Sequence, residues 1–254
     1  MSRTWEEYVF DVNGFEIRAR YTEENIREIF LPLLRDLTAL QKERGRRLIV
    51  FLAAPPATGK STLVSFLSWL SAQDPSLTEV QSIGLDGFHY HQDYILTHTA
   101  VQPDGSVLPM KKVKGSPETY DVAHFTDKLS ELRREDHVTL WPVYSRKLHD
   151  VIEDETPVTG DIVLIEGNWL LFDDDRWKDV RALADYTIFI SAEESSLKER
   201  LIGRKMMGGL TREEAEEFYR TGDGVNVRRT LAGSSEGDLT LVMDDEGVFH
   251  LKNA

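Results

Sequence analysis

One stretch of nine residues restricts this chain more than any other. Ala54-Pro55-Pro56-Ala57-Thr58-Gly59-Lys60-Ser61-Thr62 follows the apolar run Leu48-Ile49-Val50-Phe51-Leu52-Ala53 and leads into a segment, Lys60 through Ser71, that reads as a helix. An unbroken apolar run is the mark of a strand buried on both faces of a parallel sheet. Strand, tight loop and helix in that order are the context in which a Walker A pattern is credible. In such a loop the backbone N–H groups from Ala57 through Thr58, Gly59 and Thr62 curl around a β-phosphate, and the helix N-terminus adds its partial positive charge. Lys60 is placed to bridge the β- and γ-phosphates of ATP, and the Ser61 hydroxyl to ligate Mg²⁺. The pattern departs at Ala54, where a glycine is usual; a methyl there carries a steric cost if the position needs a positive φ. Pro55 and Pro56 donate no hydrogen bond, but they precede the donors that matter.

The rest of the chain alternates strands and helices. Strands are expected at 80–86, around 138–141, at 161–166 and at 186–190, with helices over 120–134 and 193–204. This predicts an α/β fold of the P-loop NTPase type, a parallel sheet flanked by helices. Residues 1–45 read as an extension: a β-hairpin turning at Asn13-Gly14, then a helix capped near Thr22 and ended by Gly45. Residues 46–254 form the phosphate-loop domain. Within it, 98–117 is too long to be mere connection. Met206-Met207-Gly208-Gly209-Leu210, ahead of a capping box at Thr211 and Glu214, reads as a hinged lid over about 204–212. Leu239 to Lys252 is expected to close the fold as a strand and hairpin turning at Glu246-Gly247.

Composition excludes several classes. The formal net charge is −14 and cysteine is absent. A chain of that sign and without a long basic stripe is disfavoured as a binder of nucleic acid or of an anionic membrane surface. An anionic ligand must be met by a local cluster of cations. Without cysteine there is no disulfide framework or thiolate chemistry. No signal-like N-terminus and no membrane-spanning run is evident, so a cytoplasmic location is expected.

Carboxylates separate transfer chemistry from mere nucleotide binding. Asp86, in Leu85-Asp86-Gly87-Phe88-His89, ends a strand at the edge where ligands of open α/β sheets gather. It can take a proton from an attacking hydroxyl, or it can be no more than a helix N-cap. Glu166, in Glu166-Gly167-Asn168, follows a buried run, where a carboxylate is costly without a cation or donors. A Mg²⁺-bound water suits it, as does an ion pair with a structural cation. His89 is equally consistent with acceptor contact or a surface site. Asp173-Asp174-Asp175 reads as a solvated run entering a helix.

Together with Lys114-Gly115-Ser116-Pro117-Glu118-Thr119-Tyr120-Asp121 and Pro142-Val143-Tyr144-Ser145-Arg146-Lys147-Leu148-His149-Asp150, these motifs stand in the order seen in the phosphoribulokinase/uridine kinase family. Over roughly residues 46–245 the chain resembles its bacterial pantothenate-kinase-like and nucleoside/nucleotide kinase members, including proposed fructose-transport-system kinases. The resemblance implies Asp86 as catalytic base and Lys60 and Ser61 as phosphate and magnesium residues. It implies an acceptor pocket of Tyr144, Arg146 and His149, with Lys114 reaching acceptor or phosphates. Arg204 would neutralise the moving phosphoryl group, with Arg200 as understudy, and Asn226 and Arg228 would pack on adenine.

The implied activity is ATP- and Mg²⁺-dependent phosphorylation of a hydroxyl on a small metabolite, a nucleoside or sugar first and a pantothenate-type vitamin precursor next. A regulatory P-loop NTPase is the alternative of a different class. The N-terminal extension lies outside the shared motifs and is expected to cover the sheet or to offer a homodimer surface.

Overall fold

The computed structural model describes residues 3–12 and 15–252. The expected turn at Asn13-Gly14 lies outside the described residues, but its arms are present as β1 (Trp5–Val12) and β2 (Phe15–Thr22). The Thr22 side chain accepts the Asn25 N–H and starts α1 (Glu23–Asn25), which passes through a π turn (Ile26–Phe30) into α2 (Leu31–Arg44). Gly45, at φ 62°, takes the left-handed C-terminal position that glycine fills at least cost.

Next come β3 (Leu48–Ala53), the phosphate loop, α3 (Lys60–Gln73), β4 (Val80–Gly84) and α4 (Gln92–Thr97). Residues 98–117 hold a short ribbon, β5 (Thr99–Val101) with β6 (Val107–Pro109), packed over Ile95 and Met110. Then follow α5 (Val122–Arg134), β7 (Thr139–Ser145), β8 (Asp150–Val158), β9 (Ile162–Gly167) and β10 (Tyr186–Ala192). The chain ends with α6 (Glu194–Met207), α7 (Arg212–Phe218), α8 (Gly224–Gly233), β11 (Leu239–Met243) and β12 (Phe249–Leu251).

The main sheet runs β12-β11-β10-β3-β9-β4, parallel throughout except for β12. Alternation along β3 divides the core between the two faces. Leu48, Val50 and Leu52 pack with α2, α3 and α6, while Ile49, Phe51 and Ala53 pack with Phe125, Trp141 and Trp169. Every residue of β3 is at most 1% exposed. Full burial of such aliphatic side chains contributes about 1.5–3 kcal/mol each, so β3 is anchored on both sides and its end holds the loop still.

Two parts lie outside this sheet. The predicted strand at 138–141 is the start of a longer one, β7, which pairs only with β8 in an antiparallel ribbon. The β1–β2 hairpin lies on α3: the Tyr21 ring stacks on Phe66 at 4.4 Å, and Tyr8 sits 4.8 Å from Phe66 and 5.0 Å from Trp69. Such aromatic pairs add about 0.5–1.5 kcal/mol each beyond area burial. The hairpin therefore covers the phosphate-loop helix, while α2, the other part of the extension, packs directly on the sheet against β3. Asn25 also exchanges two hydrogen bonds with the Phe249 backbone, at 2.7 and 2.9 Å, tying the start of the chain to its last strand.

Candidate active site

The sheet register decides which side chains can meet. On β9, Glu166 is paired with Leu52 of β3 on one side and with Gly84 of β4 on the other. The phosphate loop leaves the end of β3, and Asp86 lies two residues beyond the end of β4. Loop, Glu166 and Asp86 therefore share one edge of the sheet, at the carboxyl ends of three adjacent strands, where α/β folds collect ligands.

In the loop, Gly59 stands at φ 82° as the N-cap of α3. Ala57 also lies in the left-handed region, at φ 70°. Ala54, where the sequence departs from the usual glycine, has no positive φ and is fully buried. The steric cost anticipated at Ala54 thus falls at Ala57, where an L-residue loses about 1–2 kcal/mol.

Behind the loop, Ser61 Oγ donates to Glu166 Oε1 at 2.6 Å, and Lys60 Nζ is 4.0 Å from Glu166 Oε2. The Lys60 and Glu166 side chains are only 15% and 14% exposed. Burial pushes the Glu166 carboxyl above its ordinary range, against the pull of Lys60 and with the help of the Asp86 charge. Oxygen donors from one hydroxyl and one carboxylate, beside a place for phosphates, match the hard-ligand preference of Mg²⁺. Around them a cavity of about 310 Å³ is lined by Ala57, Lys60, Ser61, Arg146, Arg200 and Arg204. Four cations facing one space make a concentrated anion site in a chain of net charge −14. Arg204 lies in the last turn of α6, which runs unbroken to Met207. The expected lid is thus the helix end with the short connection through Gly209, at φ 99°.

Asp86 is exposed and accepts a hydrogen bond from the Tyr120 hydroxyl at 3.1 Å. Burial, reinforced by the Asp86 charge, holds the Tyr120 hydroxyl well above its ordinary pKa, so it stays a donor. Nothing in the Lys114–Asp121 pattern marks Tyr120 as a partner of Asp86. Three other residues of that block are structural: Glu118 pairs with Arg229 at 2.7 Å, Trp169 Nε1 donates to Gly115 O at 3.0 Å, and Asp121 caps α5. The turn carrying Asp86 lies so close to β7 that a Cβ on Gly87 would come within 2.0 Å of Pro142 O. Trp141 Nε1 pins the same ribbon to Gly84 O at 2.9 Å.

His89 is buried and stacks on Tyr120, with 3.9 Å between ring centres, while its Nδ1 meets Thr119 O at 3.2 Å. Burial lowers its pKa, against the pull of Asp86, and favours the neutral ring. Tyr144 meets the His89 ring edge-on, and Lys114 Nζ lies 4.7 Å over the Tyr144 ring. Lys114 is held by Gln92 Oε1 at 2.7 Å and His149 O at 3.2 Å. His149 contributes its carbonyl to this cluster; its side chain is exposed on a turn residue at φ 56°. The structure thus brings Asp86, His89, Tyr144 and Lys114 into one cluster.

Asn226 and Arg228 fall elsewhere. The Asn226 amide lies against Gly115, and Arg228 pairs with Glu194 at 2.9 Å. Two positions apart on α8, they point in different directions, and neither lines the cavities that open on Gly59.

No protein-family model matches the chain. It is 44% identical over 240 residues, 94% of this chain and 96% of the other, to an uncharacterized protein, YggC, of Escherichia coli (strain K12). It is 29% identical over 201 residues to the pantothenate kinase of Pasteurella multocida (strain Pm70), matching 71% of this chain and 60% of that enzyme. The crystal structure of a proposed fructose transport system kinase from Silicibacter sp. TM1040 superposes with a TM-score of 0.67 at 30% identity, covering 80% of this chain and 98% of that one. Among the described residues no helix is long and apolar enough to cross a membrane. A strand-borne phosphate loop with a buried glutamate behind it, on a parallel sheet shared with these relatives, places the chain in the phosphoribulokinase/uridine kinase family of P-loop kinases.

Proposed function

We propose that the chain transfers the γ-phosphoryl group of ATP to a hydroxyl of a small metabolite, with Asp86 as the base. One observation carries this reading: Lys60, Ser61, Glu166 and Asp86 converge on one edge from three neighbouring strands. The acceptor oxygen forms a bond to the γ-phosphorus as the bond to the β–γ bridging oxygen breaks; its proton passes to Asp86 and ADP leaves. The Tyr120 hydrogen bond fixes the carboxylate for that task. Lys60, Arg146, Arg200 and Arg204 supply the positive charge that a loose phosphoryl transition state requires. When bound, Mg²⁺ neutralises phosphoryl oxygens, and Ser61 with Glu166 would hold it.

The neutral His89, Tyr144 and Lys114 line the approach to Asp86 and suit a hydroxyl-rich acceptor, a nucleoside or a sugar. A second reading rests on the cations Lys114 and Arg146. They favour an acceptor with a carboxylate, as in the pantothenate-type precursor named by one group of relatives, of whose length this chain spans about 60%. The test is ADP release against nucleosides, sugars and pantothenate, with Lys60→Ala as the blank. Stimulation by one class identifies the acceptor. Release that no acceptor stimulates points to a regulatory NTPase and defeats the transferase reading.

A further inference from the structure

A triphosphate gripped at Lys60 must send its nucleoside out of the phosphate cavity. That cavity continues past Gly59, Thr62 and Arg200 into a second space of about 490 Å³, within the range of small-molecule sites. One wall of this space is the turn between β11 and β12, with Glu246 and Gly247. The other is the N-terminal hairpin, through Trp5, Arg18 and Arg20.

We infer that the hairpin is the base-recognition wall of the nucleotide site: the open edge of β2 reads the purine, and Trp5 with Arg20 flanks its face. This rests on the ATP reading above. The ladder register supports it. Glu23 N donates to Thr4 O, and the register steps back through Glu6–Tyr21, Tyr8–Ala19 and Phe10–Ile17. Alternate pairs of an antiparallel ladder exchange hydrogen bonds, so these pairs use their backbone groups within the hairpin. Arg18 and Arg20, opposite Val9 and Glu7, turn theirs to the outer edge. An unpaired strand edge presents an N–H and a C=O side by side, the complement of the adjacent donor and acceptor on a purine. Beside it, the Arg20 guanidinium lies 5.1 Å from the Trp5 ring centre, two planar groups of the kind on which bases stack.

The wall is also fastened across the cavity. Arg3, just before β1, pairs with Glu246 and lies 3.9 Å from Asp244, so both walls of the space are joined at the rim. Asn25 of α1, three residues past the end of β2, adds a second tie to the Phe249 backbone of β12. A hairpin that only shielded α3 would need its aromatic face but not these ties.

The decisive measurement is equilibrium binding of Mg·ATP and Mg·tripolyphosphate to the full chain and to Trp5→Ala, Arg20→Ala and Arg18→Pro. The last variant removes an outward N–H and leaves the ladder intact. Wild type should bind ATP more tightly than tripolyphosphate. Trp5→Ala and Arg20→Ala should each lose roughly tenfold in ATP affinity through lost stacking, and Arg18→Pro about fivefold through the lost hydrogen bond, with tripolyphosphate affinity unchanged. Equal loss for both ligands would mean that the hairpin only props up the phosphate loop, and unchanged ATP binding would remove it from the site; either overturns the inference. Wild-type binding of neither ligand would instead bring down the ATP reading itself, and the inference with it.

Discussion

The donor and acceptor halves of the site are built in opposite ways. On the donor side, Lys60 and Ser61 open α3 just past the loop that leaves β3, Glu166 lies near the end of β9, and they hold one another at 2.6–4.0 Å beside two strands buried on both faces. On the acceptor side, Tyr144, Arg146 and His149 come from the β7–β8 ribbon, which pairs with nothing in the main sheet. Lys114 reaches in from the segment after the β5–β6 ribbon and is held by a carbonyl, an amide and a ring face. Buried strand ends fix the step common to all phosphoryl transfers, where small displacements are costly. Appended ribbons can change without disturbing the core, and they are where acceptor choice can vary.

Asp86 stands at the seam between the halves, and its replacement gives the largest expected effect. Asp86→Asn should lower turnover by about 10²–10⁴, the usual worth of a positioned base, while ATP binding measured by calorimetry stays near wild type. If ATP binding fell as far as turnover, the seam would belong to the donor half and the contrast would be wrongly drawn.

Gly87→Ala probes the same seam mechanically. The new methyl would be driven into the Pro142 backbone, with O at 2.0 Å and C at 2.4 Å, and neither wall is a flexible side chain. Overpacking of this kind costs about 1–3 kcal/mol, and with the backbone involved the upper end is expected. Thermal unfolding should drop by several degrees. Turnover should fall further than stability alone explains, because relief comes only by moving Asp86 away from the ribbon. A variant with normal stability and activity would show that turn and ribbon are not rigidly joined.

His89 sharpens the comparison through pH. Its ring is buried on Tyr120, and burial holds its pKa below the ordinary histidine value of 6.5, against the Asp86 charge and aided by Lys114. A group so depressed contributes stability that is complete above 6.5 and lost as pH falls towards its folded value. His89→Gln should therefore flatten the fall in melting temperature on acidification below pH 6.5. Parallel curves for variant and wild type would mean that the buried ring is not what titrates.

The sequence announced the donor half and concealed much of the acceptor half. Leu48–Ala53 and Ile162–Ile165 are apolar without interruption because both faces are covered, and such runs are unambiguous. The middle of β8, Glu153, Asp154 and Glu155, is exposed, so there the residues carry no burial pattern that separates ribbon from loop. Tyr120 was invisible as a partner of Asp86 because 34 residues separate them and only the α5 approach brings them together. Where Asn226 and Arg228 lie was hidden for a related reason: which side of α8 meets Gly115 and which meets Glu194 depends on helix packing, and no motif records it. Nor could the sequence place the hairpin beside Gly59, since that position follows from aromatic packing on α3.

Ala57 offers the smallest effect and the finest test of the donor half. Its φ of 70° is a conformation that glycine adopts freely and alanine does not. Ala57→Gly should release about 1–2 kcal/mol of steric cost, offset by roughly 0.5–1 kcal/mol of extra freedom in the unfolded chain. The net gain of about 0.5–1 kcal/mol corresponds to a rise in melting temperature of about 1–4 °C. If the donor half is as rigidly determined as its burial implies, affinity for Mg·ATP should not change, because neighbouring strands hold the loop and the Cβ does not. A gain in stability accompanied by weaker nucleotide binding would mean that the alanine methyl itself stiffens the cradle, and that the loop draws part of its order from the strained residue within it.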